Sequence, residues 1–263
     1  MNLTVYIESN LEKDENGRKY YVPIGDWGLL AYDGYKQRPD TDVILFNNID
    51  DVPYSKTNII VADIKATNIY LEKCGIKLKA LNIPEELMKY AGRDIQYMTM
   101  AEFRADTRCP IFVKPNGKPK AFISGVLTKL STKEMLLNDV SDDEECFVSE
   151  IVDFVSEYRG YVIKGKLVGI KHYLGDFRVF PDMNIIDSAV KDYISAPEGY
   201  SIDFGVTSDG RTLLVECNDG WALGNYGLES KLYCRLLTSR WMEIMKDSQY
   251  FTELYRKSSL NHE

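Results

Sequence analysis

Residues 201–218 read SIDFGVTSDGRTLLVECN, and the pairing within this stretch decides the fold. Asp209-Gly210 is a favoured two-residue hairpin loop, because a type I′ turn needs φ > 0 at both positions. With that loop, Ser208 faces Arg211 and Asp203 lies directly opposite Glu216. Opposed side chains share a face, so Ile202, Phe204, Val206, Leu213, Val215 and Cys217 line the other one. That second face is continuously apolar and is expected to be buried. Asp203, Glu216 and, two residues on, Asn218 are left together on a polar face.

Opposed carboxylates about 5 Å apart repel by roughly 3 kcal/mol at an effective dielectric near 20. A neighbouring Lys or Arg, a shared proton or a divalent cation would each offset that cost. Two carboxylates and an amide oxygen form an all-oxygen set suited to Mg²⁺, which usually completes its shell with waters and nucleotide phosphates. The plain alternative is a surface hairpin with an acid pair and no function. Cys217, on the apolar face, reads as a core residue rather than a nucleophile.

Other hairpins surround this one: IFVKP-NGKP-KAFISGVL from Ile111, CFVSEIVDFV from Cys146, and YRGYVI-KG-KLVGIKHY from Tyr158. Helices are expected at 132–138, 186–195 and 227–246, the last with Leu232, Arg235, Leu236, Trp241 and Met242 near helical spacing as a core stripe. Antiparallel strands with helices on one side make an α+β unit. Upstream, strand-like runs (LTVYIE, DVILF, NIIVAD) alternate with helical patterns (ATNIYLEKCGI, PEELMKYAGRDIQYMTMAEF), which reads as a small α/β unit. The composition changes near 104–110. In the Asn116-Gly117 hairpin, a two-residue loop puts Lys114 and Lys120 on opposite faces, whereas a three-residue loop, 116–118, sets them opposite one another.

With 263 residues, 44% of them apolar, the chain has enough core for one large domain or two modest ones, which argues against disorder. No apolar run approaches a membrane span of roughly 18 residues, and Met1–Asn10 lacks the pattern of a secretory signal. Five scattered cysteines without CxxC spacing and only two histidines fit neither a disulfide framework nor a Cys/His zinc site, and a reducing cytoplasm is expected. A net charge of −8 argues against nucleic acid as a partner. The charge is uneven, however. Residues 107–133 hold six bases (Arg108, Lys114, Lys118, Lys120, Lys129, Lys133) and no acid, residues 134–158 hold nine acids and no base, and 158–175 turn basic again. Two basic islands in an acidic chain point to a localised polyanion site. Two near matches fail. Asp203-Phe204-Gly205 spells a kinase tripeptide without the accompanying catalytic loop, and Gly160–Lys166 fits a phosphate loop until Leu167, inside a hairpin.

In its order of elements the carboxy-terminal two-thirds resembles the ATP-grasp superfamily. A strand with a lysine (Phe112-Val113-Lys114-Pro115) comes first. A hinge strand with Glu150 and, seven residues later, Glu157 follows. Asp203 and Glu216-Cys217-Asn218 close the series, with a spacing similar to that of D-alanine–D-alanine ligases. Within the superfamily the chain looks most like the small clade named for one arginine and two lysines. The lysines would be Lys114 and Lys120, and the arginine Arg104, Arg108 or Arg159. The resemblance implies an α+β ATP-grasp fold, two subdomains (96–148 and 149–263) sandwiching ATP, preceded by a small α/β domain at 1–95. It implies ATP and Mg²⁺ as cofactors, the metal on Asp203, Glu216 and Asn218. It places Glu150, Ile151, Val152 and Asp153 at the adenine hinge, Glu157 at the ribose, Lys114 and Lys120 at the phosphates with Arg159 or Arg104, and Arg178 and Lys171 near the acceptor. The expected activity is a carboxylate–amine ligase acting through an acylphosphate on small-molecule or peptide substrates. A phosphotransferase using the same site and a non-catalytic nucleotide-binding module are the alternatives. The segment after Asn218, Asp219–Asn225, departs from the usual ligase loop, and it is expected to shape the acceptor site together with the amino-terminal unit.

Overall fold

The computed structural model describes residues 3–116, 121–130 and 139–246. Among them are three four-stranded sheets, one after another along the chain. The first is built on β1 (Leu3–Lys13), whose side chains alternate buried and half-buried over its first half. It pairs in parallel with β3 (Thr41–Phe46) and β4 (Asn58–Val61) along 3–8, and antiparallel with β2 (Lys19–Pro23) along 9–13. The helices α1 (Gly25–Lys36) and α2 (Ile64–Lys73) complete the α/β unit. The sequence pattern did not mark α1, which holds three glycines. Gly34 explains one of them: a Cβ there would stand 2.5 Å from Cys234 Sγ and from the Ser230 carbonyl of the C-terminal helix. Gly34→Ala is therefore expected to destabilise by about 1–3 kcal/mol, a drop of several degrees in Tm, since backbone must move to admit the methyl. An unchanged Tm in a thermal melt would contradict the close packing.

The second sheet has the order β5 (Ile95–Thr99), β8 (Glu145–Ser149), β6 (Ile111–Pro115), β7 (Gly125–Leu127). Here the expected helix over 84–103 gives way to three pieces: a 3-10 turn at Glu85–Tyr90, then β5, then the short α3 (Met100–Ala105). Gly92 at φ +60 breaks the run, and Thr99 with Glu102 starts α3 through a reciprocal capping box. The β6–β7 register sets Val113 opposite Gly125, and the short loop expected after Lys114 runs into residues outside the described ones. Lys120 and the expected helix at 132–138 lie outside the described residues.

The third sheet, order β10-β9-β11-β12, carries the hairpins. β9 (Phe154–Ile163) and β10 (Lys166–Gly175) join through Lys164-Gly165, both at positive φ as a type I′ turn requires. The expected strand CFVSEIVDFV divides at 150–153, where the chain passes from the second sheet to the third. β11 (Gly199–Thr207) pairs with β12 (Thr212–Asp219), but the loop is one residue longer than expected. Thr207 and Arg211 close it, with Gly210 at φ +84. Val206 therefore faces Thr212, and a bulge at Val215 restores the offset so that Asp203 still faces Glu216. Leu214, not Val215, joins Ile202, Phe204 and Cys217 in the core, and β11 is buried on both faces. The clamp on this bulge is Arg93, which donates to the Leu214 and Val215 carbonyls at 2.7 and 3.0 Å.

Two further helices are described, α4 (Met183–Asp192) and α5 (Ser230–Ile244). α5 buries Tyr233, Leu236, Leu237 and Trp241 in a core shared with α1, β9 and the first sheet, while Leu232 and Met242 are half-buried and Arg235 is exposed. Arg240 fixes α5 to the end of β12 by two bonds to Asp219 at 2.6 and 2.7 Å. Among the described residues no helix is long and apolar enough to cross a membrane.

Candidate active site: a row of opposed charges between two sheets

Strand register builds the site. Lys171 of β10 faces Arg159 of β9, Arg159 faces Asp203 of β11, and Asp203 faces Glu216 of β12. Residues in register share a face, so these four form one row across the sheet with charges in the order +, +, −, −. The next row on that face holds Gly169, Tyr161, Ser201 and Asn218. The offset for the opposed carboxylates is thus cationic. Arg159 donates to both oxygens of Asp203, Nε at 2.9 Å and Nη2 at 2.7 Å, with the side chains 10% and 1% exposed. From the second sheet Lys114 reaches Glu216 Oε2 at 2.6 Å, its Nζ 4.8 Å from the Phe147 ring centroid.

Burial pushes the Asp203 carboxyl up to about 6, even against the pull of Arg159. Burial presses the same way on Glu216, yet the ammonium of Lys114, the amide of Asn218 and the charge of Arg159 together hold it below the usual range. Arg159 lies against two aromatic rings, its guanidinium carbon 5.0 Å from the Tyr226 centroid and 5.9 Å from that of Tyr173. Those rings stack at 5.1 Å, and the Tyr173 hydroxyl donates to Glu157 at 2.6 Å. Burial first, then the charge of Asp203 and the bond to Glu157, keep that phenol protonated.

The donor set suits a hard divalent cation. Asn218 Nδ2 lies 2.9 Å from Glu216 Oε1 and 3.4 Å from Asp203 Oδ2, so one oxygen of each acid converges beside the amide. The amide turned over presents its own oxygen there, which gives the all-oxygen set that Mg²⁺ takes. Among the described residues no group of three His, Cys, Asp or Glu comes together. Beside this set a cavity of about 530 Å³ opens between the sheets, lined by Lys114, Pro115, Phe122, Ser124, Asn82 and Glu216 among others.

Several expected site residues lie elsewhere. Arg104 is taken by Asp142 and the Val140 carbonyl at the edge of the second sheet, and Arg108 by Asp106 and Asp94. Of the three candidate arginines, only Arg159 joins the carboxylates. Arg178 is 76% exposed and paired with Asp176 in the turn after β10, apart from the row. Glu150 stands at the crossing between sheets, where its carboxylate accepts from the Asp94 N–H at 2.9 Å, and Ile151, Val152 and Asp153 follow it there. The sequence reading missed Arg93, Tyr173, Tyr226 and Asn82. Asn82, at φ +48, accepts from the Cys217 N–H at 2.6 Å and donates to Asn116 at 2.6 Å, tying β12 to the loop after β6. Only the tolerance of Asn for positive φ hinted at that role.

Cys217 sits in the core, as its face implied, and burial raises its thiol well above the ordinary value. Iodoacetamide on the native chain at pH 8 is expected to modify the exposed Cys109 and to spare Cys217 until the protein unfolds. Peptide mapping that finds Cys217 labelled in the folded state would contradict this.

Two four-stranded sheets closing on a cleft, with a lysine from one meeting an acid–acid–amide set on the other, define an ATP-grasp protein. The family model of the ATP-grasp domain, family 2 of the clade named for one arginine and two lysines, matches residues 90–236, and the chain belongs to that family. No curated protein matches it. Among solved structures it is similar to D-alanine–D-alanine ligase from Bacillus anthracis (14% identity, 94% of this chain and 99% of that one, TM-score 0.53). It is also similar to N5-carboxyaminoimidazole synthetase from Staphylococcus aureus (11%, 91% and 80%, 0.53) and to D-cycloserine synthetase DcsG (10%, 92% and 99%, 0.57). At these identities the likeness is one of fold.

Proposed function

We propose that the chain is an ATP- and Mg²⁺-dependent carboxylate–amine ligase that activates its acid as an acylphosphate. The observation that carries this reading is the charged row Lys171–Arg159–Asp203–Glu216 facing Lys114 across the cleft. Mg²⁺ bound by Asp203, Glu216 and Asn218 would neutralise phosphate charge as the γ-phosphoryl moves to the substrate carboxylate. Lys114, freed from Glu216, is within the cleft to hold phosphate oxygens. Arg159 keeps one guanidinium nitrogen, Nη1, outside its pair with Asp203, and with Lys171 beside it supplies positive charge where the acylphosphate forms. The crossing at 150–153 offers backbone to a base, and Glu157 an acceptor to ribose hydroxyls. Burial of Arg159 and Asp203 at the middle of the row limits water there, which would protect an acylphosphate from hydrolysis.

Product analysis tests the reading. ADP release is expected to require both an acid and an amine and to yield an amide. A stable phosphorylated product formed without amine would instead make the chain a phosphotransferase. No stabilisation by Mg-ADP in a thermal-shift titration would remove the nucleotide site altogether.

A further inference from the structure

Asn218 has two duties that need opposite ends of its amide. Its Nδ2 lies 2.9 Å from Glu216 Oε1 and 3.4 Å from Asp203 Oδ2, a donor set between two acids. Without a cation that arrangement is favourable, since an N–H shared by two carboxylates offsets part of their repulsion. A bound cation reverses the demand. The amide must then show its oxygen to the cation, and Nδ2 must find another acceptor. Asn218 is half-buried, so an amide N–H left without one would oppose the turn.

Strand register supplies the acceptor. Ser201 of β11 stands directly opposite Asn218 of β12, on the face that carries the charged row. Opposed side chains have Cβ atoms about 4.5–5.5 Å apart, which a hydroxyl and an amide can bridge with one hydrogen bond. Ser201 is fully buried, and its Oγ has no hydrogen-bond partner among the described residues. Its other polar neighbours on this face are committed. Tyr161, its partner on β9, donates its hydroxyl to the Gly224 carbonyl at 2.9 Å. Asp203, two residues along the strand, has both oxygens bonded by Arg159. A buried hydroxyl left unpaired is costly, and on a strand buried on both faces an alanine would fill the position without that cost. The hydroxyl therefore calls for a partner, and the turned amide of Asn218 is the one that register places in reach.

We infer that Ser201 is a positioning residue for the metal set: its hydroxyl accepts from Nδ2 when the Asn218 amide turns over, and so holds Oδ1 toward a cation shared with Asp203 and Glu216. The amide is then an element with two positions, bonded to the acids in one and to Ser201 in the other. The unpaired hydroxyl raises the free energy of the first position and so favours the turn. The inference rests on the metal site of the proposed function, and the experiment separates the two.

Thermal melts and calorimetric titration of Mg²⁺ at pH 8, on the wild-type chain and on Ser201→Ala, decide it. Deleting the hydroxyl is expected to raise Tm by about 2–4 °C in the absence of Mg²⁺. It is also expected to weaken Mg²⁺ binding about fivefold, the factor that one net hydrogen bond supplies. A hydroxyl that only held the strand would lower Tm and leave Mg²⁺ affinity alone, so the two measurements together distinguish positioning from packing. Asn218→Ala closes the cycle: with no amide to hold, adding Ser201→Ala is expected to change Mg²⁺ affinity no further. An unaltered affinity in Ser201→Ala overturns the inference, as does a lowered Tm or an equal loss in the Asn218→Ala background. Failure of the wild-type chain to bind Mg²⁺, with or without ADP, removes the metal site and the inference together.

Discussion

Asp203→Leu is expected to destabilise the protein by about 3–5 kcal/mol and to abolish ATP-dependent turnover, while adding Arg159→Met restores most of the stability and none of the activity. The stability part follows from burial. Asp203 is 1% exposed and Arg159 gives it two bonds at 2.7 and 2.9 Å. Taking both charges out of water offsets much of their attraction, so the pair as a whole adds little to stability, but removing one partner strands the other. Arg159 cannot shed its proton to escape that cost. Two apolar replacements remove both desolvation penalties at once. Midpoints of urea unfolding for the two singles and the double close the cycle, and a double variant as unstable as the worse single would mean that the pair is not the source of the loss.

The companion single, Arg159→Met, carries a pH signature. Burial already raises Asp203 to about 6 with the guanidinium present, and losing Arg159 raises it further. A carboxyl whose folded value lies above its unfolded one favours the folded state at low pH and loses that advantage as pH rises through the folded value. Arg159→Met should therefore be most destabilised above pH 6 and recover as the buffer is acidified toward pH 4. Turnover is expected to stay absent throughout, because the guanidinium is gone from the row at every pH and a protonated Asp203 at the acid end would not bind metal.

The same pair shows how far sequence could carry the structure. The facing of Asp203 and Glu216 was legible, yet for a reason that is only half right. The loop is one residue longer than Asp209-Gly210 suggested, and the bulge at Val215 takes the extra residue back. That bulge is clamped by Arg93, more than a hundred residues away, so no local pattern could announce it. The Lys164-Gly165 turn, by contrast, needs only two positive φ values and was plain. Helix α1 was hidden by its glycines, one of which, Gly34, serves the close contact with Ser230, a tertiary demand that overrides helical propensity. Among the arginines, motif order could not choose: Arg104, Arg108 and Arg178 are each captured by an acid, Asp142, Asp106 and Asp176. Arg159 was singled out by strand register across β9 and β11, which only the assembled sheet provides.

Lys114→Met should lower ATP-dependent turnover by about 100-fold or more while raising the affinity of the nucleotide-free chain for Mg²⁺ by about tenfold. The two effects have opposite sign because one ammonium has two partners. Lys114 sits on Glu216 Oε2 at 2.6 Å, on an oxygen that a bound metal would need and where its charge would repel a second cation. Under the proposed function the phosphates would draw the ammonium away and release Glu216, so that metal and phosphate would enter together. Methionine keeps the apolar stem packed near Phe147 and deletes only the charge. Glu216 then loses the main cation that holds it below the usual range and titrates higher, so the gain in Mg²⁺ affinity should be present at pH 8 and fade toward pH 5. Titration of Mg²⁺ alone by calorimetry at both pH values, beside steady-state rates, reads the exchange directly. Lowered turnover with unchanged Mg²⁺ affinity would make Lys114 a phosphate ligand that does not compete at Glu216, and unchanged turnover would remove it from the active site.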